Sequence, residues 1–112
     1  MKGENAKAQM RKGVLEYCIM LILANKPSYT SDIIDALKES KLIVVEGTLY
    51  PLLSRLKNTG FLTYSWKEST QGPPRKYYEI TSKGGKLLAE LETGWNELSD
   101  AVENLKKNHI KN

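Results

Sequence analysis

The sequence has one cysteine, Cys18, and one histidine, His109, in 112 residues. A lone cysteine excludes an internal disulfide and suits a reducing compartment. The two residues together are too few to build a zinc site on their own, so no metal or cofactor is expected. Long apolar runs are missing as well. The longest, Tyr17 to Ala24, falls far short of the roughly 18 residues of a membrane span. Met1-Lys2-Gly3-Glu4-Asn5 leads into no signal-peptide pattern, which points to the cytoplasm. No nucleophile, base and acid fall into a catalytic pattern, so an enzyme is not expected. Internal repeats, low-complexity tracts and linkers are also lacking. What remains is an ordinary soluble composition, 40% hydrophobic and 27% charged, enough for one small domain with a modest core.

Charge is unevenly spread. Residues 1–26 carry five basic and two acidic side chains, and residues 46–86 carry seven and three. Residues 87–112 reverse the balance, with three basic and five acidic. A basic middle suits a polyanion, because Lys and Arg on phosphates release counterions. A solvated surface would also account for it.

Hydrophobic spacing predicts a helix over residues 8–25, with Met10, Val14, Tyr17, Leu21 and Ala24 at intervals of 3 and 4. Its second half is apolar nearly all round, so more than one side must be buried. Asn25-Lys26-Pro27 ends it. A short helix follows over 29–40, capped by Ser28 or Thr30, with Ile33, Ile34 and Leu37 on one face. Ile43-Val44-Val45 reads as a short strand or extended link. A third helix is expected over 47–59, with Leu49, Leu52, Leu53 and Leu56 inward. Pro51 belongs in a first turn, which places the start near Gly47 or Thr48, Thr48 being a plausible cap. Gly60 suits the residue just past its end.

The period then changes to two. Leu62, Tyr64 and Trp66 alternate with polar residues, the turn-rich Glu68–Pro74 follows, and Arg75–Ile80 alternates again. This predicts a β-hairpin with a long loop and a basic pair at its return. The last helix spans 82–109 behind Thr81 or Ser82, its polar tail fraying from Lys106. Leu88, Leu91, Trp95, Leu98, Val102 and Leu105 recur at 3, 4, 3, 4 and 3. That is a heptad seam of the kind that meets another helix, often a symmetry mate.

Three helices and a hairpin are the order of a winged helix-turn-helix. The expected fold is therefore mainly α with a β-hairpin wing (α+β), residues 1–81 forming the DNA-binding unit and 82–112 a C-terminal dimerisation helix. In such folds the third helix enters the major groove. Its outward side carries Gly47, Thr48, Tyr50, Pro51, Ser54, Arg55 and Asn58, a face able to enter a groove without desolvating an acidic residue. Gly72-Pro73-Pro74 stiffens the wing, presetting Arg75 and Lys76 for phosphates.

Two segments, Glu46-Gly47-Thr48-Leu49-Tyr50-Pro51-Leu52-Leu53-Ser54-Arg55-Leu56 and Gly72-Pro73-Pro74-Arg75-Lys76-Tyr77-Tyr78-Glu79-Ile80-Thr81, resemble the PadR family of bacterial winged-helix regulators. The resemblance runs from about Met10 to Leu105 and fits the short subclass with a single C-terminal helix. It implies a homodimer joined through the first and last helices, repressing transcription from a pseudo-palindromic operator on double-stranded DNA. The DNA-contacting positions it implies are Thr48, Tyr50, Pro51, Ser54 and Arg55, with Lys57 a weaker carry-over. Arg75 and Lys76 are implied on the wing, and Tyr29, Thr30 and Ser31 near the backbone.

Trp95, with Glu103-Asn104-Leu105, is similar to the last helix of a multidrug-sensing member, whose tryptophan stacks on flat aromatic drugs. The same role here would use Trp95 with Met10, Val14 and Tyr17 alongside. Alternatively Trp95 fills the dimer seam. The acidity of the last helix favours a cationic or neutral aromatic over a phenolate. Cys18 reads as an inert core residue and His109 as a helix-end residue, whereas Trp66, Tyr77 and Tyr78 read as sheet and core packing. Competing readings are a protein-interaction module that recruits a partner through its acidic C-terminal helix, and a drug-sequestering protein.

Overall fold

The first apolar stretch forms two helices, not one. The computed structural model describes residues 3–70 and 72–111, and the side chains of Glu4, Asn5, His109, Ile110 and Lys111 lie outside the description, as does the expectation for His109. Helix α1 spans Gly3–Lys12 and α2 spans Leu15–Asn25. The break falls at Gly13-Val14, where the Val14 N–H donates to the Arg11 carbonyl at 2.9 Å. Glycine weakens a helix interior by about 1 kcal/mol. The polar α1 buries too little to offset that, whereas α2 buries Leu15, Ile19, Met20 and Leu23.

A two-residue strand, β1 (Ser28–Tyr29), follows the expected stop at Pro27 and leads into α3 (Thr30–Glu39). The cap of α3 differs from expectation. Asp32 Oδ2 reaches back to accept the Tyr29 N–H at 3.0 Å, while the Ser28 hydroxyl donates to the Lys26 carbonyl. Residues 43–45 form the extended link and join no strand. Helix α4 (Glu46–Asn58) turns Leu49, Leu53 and Leu56 into the core. It starts one residue early, with Val45 as cap, so Pro51 lies beyond the first turn and removes the N–H that would meet the Gly47 carbonyl. Gly60 ends it as expected, in the left-handed region at φ 86°.

The wing is longer and tighter than the sequence suggests. Strand β2 (Leu62–Ser69) pairs antiparallel with β3 (Gly72–Ile80) up to Ser69 opposite Gly72, so there is no long loop. Pro73 and Pro74 belong to β3, at the register shift between Lys67 and Ser69. β3 is the middle strand, but β1 pairs only with Tyr77 and Tyr78, so neither proline breaks a ladder on that side.

Helix α5 (Ser82–Lys111) is 30 residues long and continues past the expected fraying point. Thr81 caps it, its Oγ1 accepting the Gly84 N–H at 3.0 Å. A Cβ on Gly84 would lie 2.1 Å from the Phe61 carbonyl oxygen, so only glycine lets the helix start this close to the wing. The core joins α2, α3, α4 and the wing through Ile19, Met20, Leu23, Ile33, Leu37, Leu49, Leu53, Leu56, Leu62 and Tyr78. Leu87, Leu88 and Leu91 pack at its rim. Beyond them α5 leaves the body, giving a molecule 61 Å long and 22 Å thick.

Candidate nucleic-acid interface

The short β1 strand brings the start of α3 against the wing. There the Arg75 guanidinium lies 4.1 Å from the Tyr29 ring centroid and donates to the Ser31 hydroxyl. Tyr29 also packs on Tyr77 at 4.9 Å, and Lys67 lies over Tyr77 at 5.2 Å. On the other face of the hairpin the Lys76 ammonium is 4.6 Å from Tyr64 and 5.6 Å from Trp66. Lys57 reaches Tyr64 from α4 at 5.6 Å. These cations are steered by aromatic faces, so less entropy is lost when they meet an anion.

Between wing and α4 runs an open groove of about 330 Å³, lined by Thr30, Ser31, Glu46, Tyr50, Trp66, Pro74, Arg75 and Lys76. It unites five of the residues expected at DNA: Thr30, Ser31, Tyr50, Arg75 and Lys76. Thr48, Pro51 and Ser54 are exposed on α4 as expected. Arg55 is held on the flank of α4 by Glu16 of α2. Its Nε donates to Glu16 Oε2 at 2.9 Å and its Nη2 to Oε1. The side chain stays 68% exposed.

Two features of the groove depart from expectation. Glu46 is the first residue of α4 and its carboxylate accepts the Tyr50 hydroxyl at 3.5 Å, so the face is not free of acidic groups. Trp66 is 60% exposed and is not core packing. The alternation that placed it beside Tyr64 was correct; the wing simply runs past the end of the core. Tyr77 is half-buried and Tyr78 buried, in keeping with their reading.

A second concavity, about 470 Å³, lies between α1, α2 and the free part of α5. Met10, Val14 and Trp95 line it together, with Leu15, Cys18, Leu42, Leu98 and Val102. Tyr17 does not join them; it lines a separate groove with Glu16 and Arg55. Arg11 and Glu103 both reach the cavity, so its polar groups carry both signs. Cys18 is on this wall rather than in the sealed core, and burial pushes its thiol pKa up, away from the reactive thiolate. Along the heptad stripe, Leu88 and Leu91 serve the body's own core, whereas Trp95, Leu98, Val102 and Leu105 are exposed.

Among the described residues no group of His, Cys, Asp or Glu is arranged to hold a metal, and no helix is long and apolar enough to cross a membrane. Residues 19–90 match the transcriptional regulator PadR-like family. The fold aligns with a PadR-like transcription factor from Bacteroides fragilis at 64% identity and a TM-score of 0.77, covering 90% of this chain and 98% of that one. A PadR-like regulator from Bacillus cereus aligns at 40% identity and 0.75, covering 87% and 95%. A PadR-family regulator from Eggerthella lenta aligns at 33% identity and 0.79, covering 91% and 89%. The winged body is thus that of a DNA-binding transcriptional regulator rather than an enzyme, and the chain belongs to the PadR-like family.

Proposed function

We propose that the chain works as a cytoplasmic, nucleoid-bound homodimeric repressor on a pseudo-palindromic operator. The observation that carries this reading is the convergence of Tyr50, Arg75, Lys76, Thr30 and Ser31 on one groove beside α4. Helix α4 enters the major groove with Thr48, Tyr50, Pro51 and Ser54 toward base edges and sugars. Lys57, Arg75 and Lys76 meet phosphates, and Tyr29 and Ser31 hold Arg75 in place. Arg55 reaches a phosphate by exchanging Glu16 for it. The exposed Trp95, Leu98, Val102 and Leu105 meet their copies in a second chain, Leu88 and Leu91 bordering that seam. A small aromatic molecule enters the cavity beside Trp95, Met10 and Val14 and releases the operator; Tyr17 flanks α2 from the neighbouring groove.

Fluorescence anisotropy on the DNA upstream of the gene and on a scrambled duplex, at two salt concentrations, tests this. The expected result is operator affinity at least about a hundredfold above scrambled, with a steep salt slope. The absence of binding at low salt overturns it. The bare stripe on α5 also suits recruitment of a different protein. Sedimentation separates the two readings, because a tight homodimer already covers the stripe.

A further inference from the structure

Trp66 is an unusual residue to leave in water, since tryptophan is among the most buried side chains on average. The face of β2 that carries it starts at the buried Leu62, passes the half-buried Tyr64 and ends at Trp66, 60% exposed. The indole therefore overhangs the end of the core. It meets Tyr64 edge-on at 5.9 Å, which fixes its plane, and Lys76 stands over it. It shares the groove with Tyr50 of α4 on one side and Arg75 and Lys76 on the other.

From this placement we propose that Trp66 is a DNA-contacting residue, packing its ring on the deoxyribose of the strand that passes between α4 and the wing. The inference rests on the proposed mode of DNA binding. A strand lying between a helix in the major groove and a wing beside it must cross the groove that holds Trp66. Its phosphates meet Arg75 and Lys76. A sugar offers an apolar patch between phosphates, and a flat, oriented indole covers such a patch with little loss of conformational freedom. The indole N–H adds a donor for a phosphate oxygen. Because the contact is uncharged and reads no base edge, it raises affinity without changing sequence preference or the number of counterions released.

The test uses the full-length protein with Trp95→Phe, leaving Trp66 as the only tryptophan, excited at the red edge where the six tyrosines do not absorb. Titration with operator DNA is expected to change its emission, saturating at the same point as anisotropy. Trp66→Ala in the wild-type chain is expected to weaken operator and scrambled duplex alike, by about tenfold, with the salt slope unchanged. Trp66→Phe, which keeps the apolar face and the fold, is expected to lose less. Unaltered Trp66 emission at saturating DNA overturns the proposal, as does wild-type affinity in Trp66→Phe and Trp66→Ala. A steeper loss on operator than on scrambled duplex also overturns it, since that would make Trp66 a base reader. If the wild-type chain binds neither duplex, the DNA-binding reading falls first and is recognised as such.

Discussion

The two tryptophans are both exposed, Trp66 at 60% and Trp95 at 43%, but their neighbours are opposite in kind. Trp66 stands among cations, hydroxyls and the Glu46 carboxylate, in a groove built by α3, α4 and the wing of one chain. Trp95 stands among Met10, Val14, Leu98 and Val102, with few polar groups near. The first surface needs no apolar cover, since its charged groups remain solvated until an anion arrives. The second leaves a stripe of large apolar side chains bare along a helix that has left its own core. Apolar surface of that kind favours association by about 25 cal/mol per Å² removed from water. One face is complete in a single chain; the other, on the proposed function, is half of an interface.

The most severe way to break that contrast is to place a charge in the apolar half. Val102→Glu puts a carboxylate opposite its own copy in the proposed seam, beside Glu103. Sedimentation is expected to show the dimer weakened at least about a hundredfold, since an unpaired charge is costly to desolvate. Operator affinity should fall with it, because two linked half-sites become two separate ones, while the monomer keeps its fold. A dimer of undiminished stability would place the subunit contact elsewhere.

The two faces also differ in how far the sequence discloses them. The four leucines of α4, the Gly60 stop, the Thr81 cap and the heptad stripe are all set by neighbours within a few residues, and the periodicity shows them. The break at Gly13 is not visible, because a glycine within an otherwise apolar period costs only about 1 kcal/mol and many helices tolerate it. Strand β1 is too short to show a period, and yet its pairing with β3 is what brings Ser31 under Arg75. The Glu16 partner of Arg55 lies 39 residues away, a separation that only the packing of α2 on the body closes. Alternation placed Trp66 on the face of Tyr64 but held no information about where the core stops.

Arg75→Ala tests the polar half more gently. It removes the proposed phosphate contact and the cation that ties the wing to Tyr29 and Ser31. Operator affinity at moderate salt is expected to fall about tenfold, with the salt slope shallower by about one. Sequence preference should be unchanged, a readout that separates it from variants at Tyr50. A slope equal to that of wild type would mean that Arg75 only braces the wing.

Within the apolar half, Cys18 reports on the cavity. Its raised pKa keeps the thiol protonated at neutral pH, so labelling by iodoacetamide should be slow. The labelling rate should keep climbing above pH 8.5, near which a free cysteine begins to level off. A flat aromatic bound beside Trp95 is expected to slow labelling about fivefold while weakening operator binding at the same concentrations. Protection of Cys18 with no change in DNA affinity would favour drug sequestration over regulation.

The smallest effect should come where the two halves meet, at the Glu16–Arg55 pair between α2 and α4. The guanidinium is largely in water, so the pair is screened and holds its geometry more by its two hydrogen bonds than by charge alone. Glu16→Gln keeps an oxygen to accept one hydrogen bond and removes the charge that competes with phosphate. Arg55 is then free to turn toward the DNA strand. The expected result is operator affinity raised about threefold, with the salt slope steeper by up to about one counterion, and Arg55→Ala moving both in the opposite direction. If Arg55 serves only to tie α2 to α4, both variants instead leave affinity and slope alone and lower the melting temperature equally. The sign of the Glu16→Gln effect therefore decides whether that arginine belongs to the DNA face or to the frame behind it.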